Sequence, residues 1–295
     1  MSAILAGEPA PVPIVRSPGY WVTVLRRFSR DPFAVIAALV VLGLIAMAVF
    51  APWLAPQDPL QGMSLRRLRP PGSEGYPLGT DELGRDMLSR LIYGARISLF
   101  MGIVPVFAAL VVGATIGIVA GYVGGWTNTV LMRTMDVFFA FPSVLLAVAL
   151  AGALGPGILN SMLALTLVFV PPIARVAESV TTGVRTRDYV EAAKASGAGA
   201  FIIIRKQVLG NVLGPIFVYA MSLIAVCMIL ASGLSFLGLG VKPPMPDWGL
   251  MLNTLRTAIY TQPLLCALPG LMIFITSISF NLMTDGLRSA MDIKA

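Results

Sequence analysis

"DYVEAAKASGAGAFIIIRKQVLGNVLGPI" (residues 188–216) opens as a charged, alanine-rich helix start. It then holds Gly197 and Gly199, an isoleucine triplet and the adjacent cations Arg205 and Lys206. Asp188 suits an N-cap, and Glu191 three residues on gives a capping-box-like start. Ala192, Ala193 and Ala195 favour helix without adding bulk. Gly197 is placed to stop the helix at C′. A second short helix is expected near Ala200, with Ile202, Ile203 and Ile204 as its apolar side. The reading is a helix-turn-helix whose small side chains let another protein come close, a recurrent recognition mode.

The flanks are of another kind. The 295-residue chain is 57% hydrophobic and 12% charged, with mean hydropathy +0.86. Soluble domains carry about 25% charged residues. Apolar runs near 33–54, 97–121, 131–153, 158–178, 213–234 and 264–285 reach the roughly 20 residues that a bilayer demands. The expectation is an all-α polytopic membrane protein with six transmembrane helices. Continuous runs exclude a β-barrel, whose strands alternate.

Six spans place both termini on one side. With that side cytoplasmic, thirteen Lys and Arg fall inside and eight outside. Six of the eight lie in the long 56–96 segment, where the positive-inside bias weakens. The 33–54 run is longer than a signal-peptide core, so an uncleaved first span is expected. The proposed division is a cytoplasmic tail 1–32, disordered over 1–20, and a first span 33–54. An external segment 55–96 with an interfacial helix follows, then a five-span core 97–288 with a cytoplasmic loop at 179–212, and a tail 289–295.

The net charge of +7 fits cytoplasmic loops of a membrane protein and gives no case for nucleic acid. There is no histidine. Cys227 and Cys266 lack metal-type spacing and read as buried thiols. No metal site is expected. Asp81, Glu82 and Asp86 read as helix-start chemistry and surface charge. G-x-x-x-x-G-K-[ST] is absent, so nucleotide hydrolysis would fall to another chain. The span centres hold no Asp, Glu, Lys or Arg, which disfavours a proton-coupled carrier with a carboxylate relay. No nucleophile–base cluster supports a membrane enzyme.

Small and polar residues are patterned instead. Gly113, Gly117 and Gly121 share one helix face suited to close packing. Pro105, Pro142, Pro171, Pro172 and Pro269 can kink spans. Ser222, Thr276, Ser277, Ser279 and Asn281 either line a polar cavity or bond their own backbones. In "PLGTDELGRDMLSRLIYGARISL" (77–99), Thr80 suits a helix cap, with Asp81 and Glu82 in the first turn. Leu83, Met87, Leu88, Leu91 and Ile92 then form an apolar stripe, with Arg85, Asp86, Ser89 and Arg90 largely off it. This helix either anchors the second span or meets an external partner.

"EAAKASG" (191–197) resembles the EAA signature of permease subunits in ABC importers, with Glu191, Ala192, Ala193 and Gly197 matching. Gly210 and Gly214 stand where prolines are usual, which leaves the return to the fifth span open. "RRFSRDPFAVIAALVVL", the 77–99 string, "MDVFFAFPSVLLAVAL", "SFLGLGVKPPMPDWGLML" and "FNLMTDGLRSAMD" also resemble the dipeptide/oligopeptide/nickel branch, in the same order. Within it the chain looks like the second permease of the pair. The resemblance implies a type I importer permease fold in a bacterial cytoplasmic (inner) membrane. It implies a second homologous permease, two ATPase subunits and an external substrate-binding protein as partners, within membrane lipid. ATP and Mg would sit on the ATPases, with no cofactor or catalytic residue in this chain. Asp188, Tyr189, Glu191, Ala192, Ala193, Ser196 and Gly197 would form the ATPase-coupling surface. Peptides are the implied cargo, with nickel or another small solute as the alternative.

Overall fold

The computed structural model describes residues 20–291. The expected disorder over 1–20 and the last residues of the C-terminal tail lie almost wholly outside that range. Helix α1 (Tyr20–Phe28) leads into α2 (Pro32–Val49) and α3 (Ala51–Leu54). Asp31 caps α2, its carboxylate accepting from Phe33 N at 3.0 Å and Ala34 N at 3.2 Å. Pro32 then occupies the first turn, where its missing N–H costs no bond.

α4 (Met87–Val123) is 37 residues long. α5 (Gly125–Phe139) and α6 (Ser143–Leu154) follow, then α7 (Ile158–Arg185). The short α8 (Asp188–Ala195) and α9 (Ala200–Ile203) come next. A π-helical turn, Ile204–Val208, joins α9 to α10 (Leu209–Phe236) without a break. The return to the fifth span, left open by Gly210 and Gly214, is thus continuous helix. α11 (Trp248–Leu255) and α12 (Pro263–Met291) complete the described chain.

Among the described residues, five helices are long and apolar enough to cross a membrane, with the α5–α6 pair as a bent sixth. The expected third span 131–153 is therefore not one rod: α5 and α6 meet at 89°. Pro142 stands at the break and cannot donate a backbone bond there. Pro105, Pro171, Pro172 and Pro269 are accommodated inside long helices.

α4 packs along α7 through the three glycines. A Cβ on Gly113 would lie 2.8 Å from Val170 O, one on Gly117 2.3 Å from Ala174 O, and one on Gly121 2.7 Å from Glu178 O. Backbone meets backbone along the seam, which only glycine permits.

The segment 55–86 departs from the expected helix start. Thr80 caps nothing. Its hydroxyl accepts from Arg69 N at 2.9 Å and donates to Arg66 O. The helix begins at Met87 with Asp86 as cap, accepting from Ser89 N at 2.8 Å, and it runs on into the span rather than forming a separate interfacial helix. Gly84 adopts φ +75° before it, and a Cβ there would sit 2.1 Å from Met63 O. The apolar stripe holds from Met87 onward, with Met87, Leu91 and Ile92 buried, but Leu83 is exposed, and the charges expected off the stripe, Asp81, Arg85, Asp86 and Arg90, are buried as well. Asp81 Oδ2 takes both Arg85 Nε at 2.6 Å and Arg90 Nε at 3.1 Å. Charges paired this way can be buried where a single one cannot. Asp81 and Asp86 are therefore interior groups, not the surface charge expected of them. Of the two thiols, Cys227 is buried and Cys266 only partly so.

Candidate functional site

Two regions carry functional geometry, a loop between α7 and α9 and a pair of clefts along α10. The loop begins where α7 ends. Arg187, not Asp188, is the N-cap of α8, with extended backbone and no side-chain capping bond. Its carbonyl accepts from Val190 N at 2.9 Å and Glu191 N at 3.2 Å. Asp188 and Glu191 instead lie inside the first turn, where negative charge meets the positive end of the helix dipole.

The C-terminal stop is a Schellman turn. Gly197 N donates to Lys194 O at 2.9 Å and Ala198 N to Ala193 O at 3.1 Å. Gly197 has φ +80°, and open space surrounds its Cβ direction. The glycine is required by backbone conformation rather than by crowding.

Val190 is the buried residue of α8, and Ala193 rests half-buried on the core. Asp188, Tyr189, Glu191, Ala192, Ser196 and Gly197 are all exposed. Beside them Phe201 is 75% exposed and Ile202 52%, while Ile203 is buried. Lys194 Nζ lies 5.7 Å from the Tyr122 ring centroid, tying α8 to the end of α4. The result is a small-residue helix flanked by bare apolar side chains. Such a surface suits a protein partner.

Along α10, Tyr219 lines two clefts. One, of about 220 Å³, lies at the α5–α6 break against Phe138, Phe141, Phe169 and Leu223. The other, of about 650 Å³, lies between α7, α10 and α12, with Ser222, Asp285 and Arg288 at its polar side. Of the proposed polar lining, Ser222 is half-buried at this cleft, its hydroxyl donating to Tyr219 O at 2.7 Å. Thr276 is buried and bonds Met272 O at 2.7 Å. Ser277 and Ser279 are buried, and Asn281 is exposed. Near the break, Asp136 pairs with Arg175 of α7 and, at 3.7 Å, with Arg133.

A second cluster escaped sequence reasoning. Asp247 caps α11, accepting from Ser98 Oγ at 2.7 Å and Leu250 N at 3.0 Å. Trp248 N donates to Ser98 Oγ at 3.1 Å, and its fully buried indole N–H to Leu91 O at 3.0 Å. Burial pushes the Asp247 carboxyl above the usual carboxylate range, and its hydrogen bonds act against that rise. Asp-Trp ahead of an apolar run was the available signal: a good cap residue before a helix-sized stretch.

The comparisons with known proteins agree with this architecture. Residues 19–71 match the N-terminal TM domain of oligopeptide transport permease C. The glutathione transport system permease protein GsiD of Pectobacterium atrosepticum is 41% identical over 95% of this chain and 92% of its own length. The di/tripeptide transport system permease protein DppC of Pseudomonas aeruginosa is 40% identical over 90% of each chain. The fold is similar to that of a chain in an inward-facing MetNI methionine ABC transporter, with TM-score 0.56 and 18% identity over 69% of this chain and 97% of that one. Residues 113–294 match the model of the binding-protein-dependent transport system inner membrane component, and the chain belongs to that family of multi-pass inner-membrane transport permeases.

Proposed function

We propose that this permease is one of two homologous halves of an ABC importer for di- or oligopeptides. An external binding protein delivers the cargo, and two ATPase subunits carrying ATP and Mg supply the energy. The carrying observation is α8: sharply stopped at Gly197, anchored through Val190 and the half-buried Ala193, and exposed along its remaining residues beside Phe201 and Ile202. An ATPase subunit docked there would push on α7 and, through α9 and its π-turn, on α10. Relatives named for glutathione and for di/tripeptides favour peptide cargo over nickel. The Lys and Arg distribution supports cytoplasmic N- and C-termini, with α8 on the cytoplasmic side. Membrane lipid covers the exposed apolar faces of the outer helices.

Glu191→Lys reverses a charge in the first turn of α8 while leaving Val190 and Gly197 in place. Expected is normal membrane insertion, with ATPase co-purification and peptide uptake each reduced about tenfold or more. Full uptake with ATPases still bound would remove the carboxylate from the docking surface. The purified chain alone is expected neither to bind nor to hydrolyse ATP. Saturable nucleotide binding by it in an equilibrium titration would contradict the division of labour.

A further inference from the structure

We propose that the cleft between α7, α10 and α12 is a binding site for a free peptide's two charged ends, Asp285 taking the ammonium and Arg288 the carboxylate. The inference rests on the peptide reading above and adds a place for the cargo within this chain. The cleft measures about 650 Å³, within the roughly 300–1,000 Å³ of small-molecule sites. Val176, Pro215 and Val218 give it apolar walls, and Tyr219 and Ser222 add hydroxyls. That mixture of apolar wall and few polar groups is what a small ligand needs for orientation.

The charges are the informative part. Asp285 and Arg288 are three residues apart on α12, so they share a face with Cβ atoms about 5–6 Å apart. A two-residue peptide spans at most about 7 Å. Both side chains line the cleft, yet neither forms an ion pair with the other or with any group among the described residues. One acid and one base, side by side and unpaired on one helix face, match a zwitterion and mismatch a cation or an anion alone. Tyr219 lines this cleft and also the aromatic one at the α5–α6 break. The two clefts therefore adjoin at Tyr219.

The test uses the complete importer in lipid nanodiscs without its binding protein, titrated with radiolabelled alanyl-alanine. Saturable binding is expected for the free dipeptide, and at least tenfold weaker binding for N-acetyl-alanyl-alanine amide. Asp285→Asn should weaken alanyl-alanine binding about tenfold and erase discrimination against the acetylated end. Arg288→Gln should do the same for the amidated end, with partial recovery in Arg288→Lys. Size-exclusion elution with the ATPases bound controls for assembly. Equal binding of the free and blocked dipeptides by the unaltered importer overturns the proposal without any variant. Uptake of alanyl-alanine by proteoliposomes supplied with the binding protein separates the two readings. Uptake without this binding removes the site alone, and absence of both removes the peptide reading with it.

Discussion

Gly117→Val is expected to lower the amount of folded chain that accumulates in the membrane. The added Cβ would lie 2.3 Å from Ala174 O, 2.5 Å from Ala177 Cβ and 2.8 Å from Glu178 N. Two of the three are backbone atoms of α7, so no rotamer change relieves the clash. α4 and α7 must separate along the seam that also holds Gly113 and Gly121. Overpacking of a tight core costs about 1–3 kcal/mol or more, and loss of close packing along the helix pair adds to it. Expected is a midpoint of thermal aggregation lowered by several degrees, or no monodisperse protein in fluorescence-detected size exclusion. Gly43→Ala is the control, since nothing lies within 4 Å of that Cβ position. A Gly117→Val protein with the parent's melting midpoint would show that the seam is not tight.

Arg90→Met is expected to free the segment 55–86. Arg90 is 2% exposed and reaches Asp81 Oδ2 at 3.1 Å, Pro59 O at 3.1 Å and Pro244 O at 3.4 Å. One guanidinium thus joins the segment 55–86, the start of α4 and the turn before α11. Breaking a buried pair by removing one partner costs roughly 3–5 kcal/mol, because groups built around the charge are left unsatisfied. Methionine keeps much of the side-chain volume, so the charge and its hydrogen bonds are the principal loss. The readout is trypsin cleavage after the exposed Arg67, expected to rise at least tenfold in rate. Cleavage at the parent rate would mean that Arg85 alone holds Asp81.

The spans were legible because lipid imposes a length that apolar runs report directly. The helix stop at Gly197 was legible because only glycine readily takes that backbone conformation. The α5–α6 break was not: both arms are apolar, and Pro142 alone does not say whether a helix kinks or ends. The segment 55–86 misled for another reason. Leu83, Met87 and Leu91 keep helical spacing, but Gly84 turns the chain between the first two, and Arg85 and Arg90 converge on one carboxylate. Periodicity records which residues are apolar, and it is blind to charges that neutralise each other across a turn. The same blindness hid the Asp188 position, where the preceding Arg187 supplies the cap through its carbonyl alone.

Val190 gives the loop a mechanical character. With Val190 as its buried peg, Ala193 half-buried beside it and its other residues bare, α8 resembles a foot on a ball joint. Such a mounting transmits thrust along the peg and lets the sole tilt with whatever it stands on. On the docking proposed above, a partner that rotates as it closes drives the bundle without having to keep one fixed angle to it.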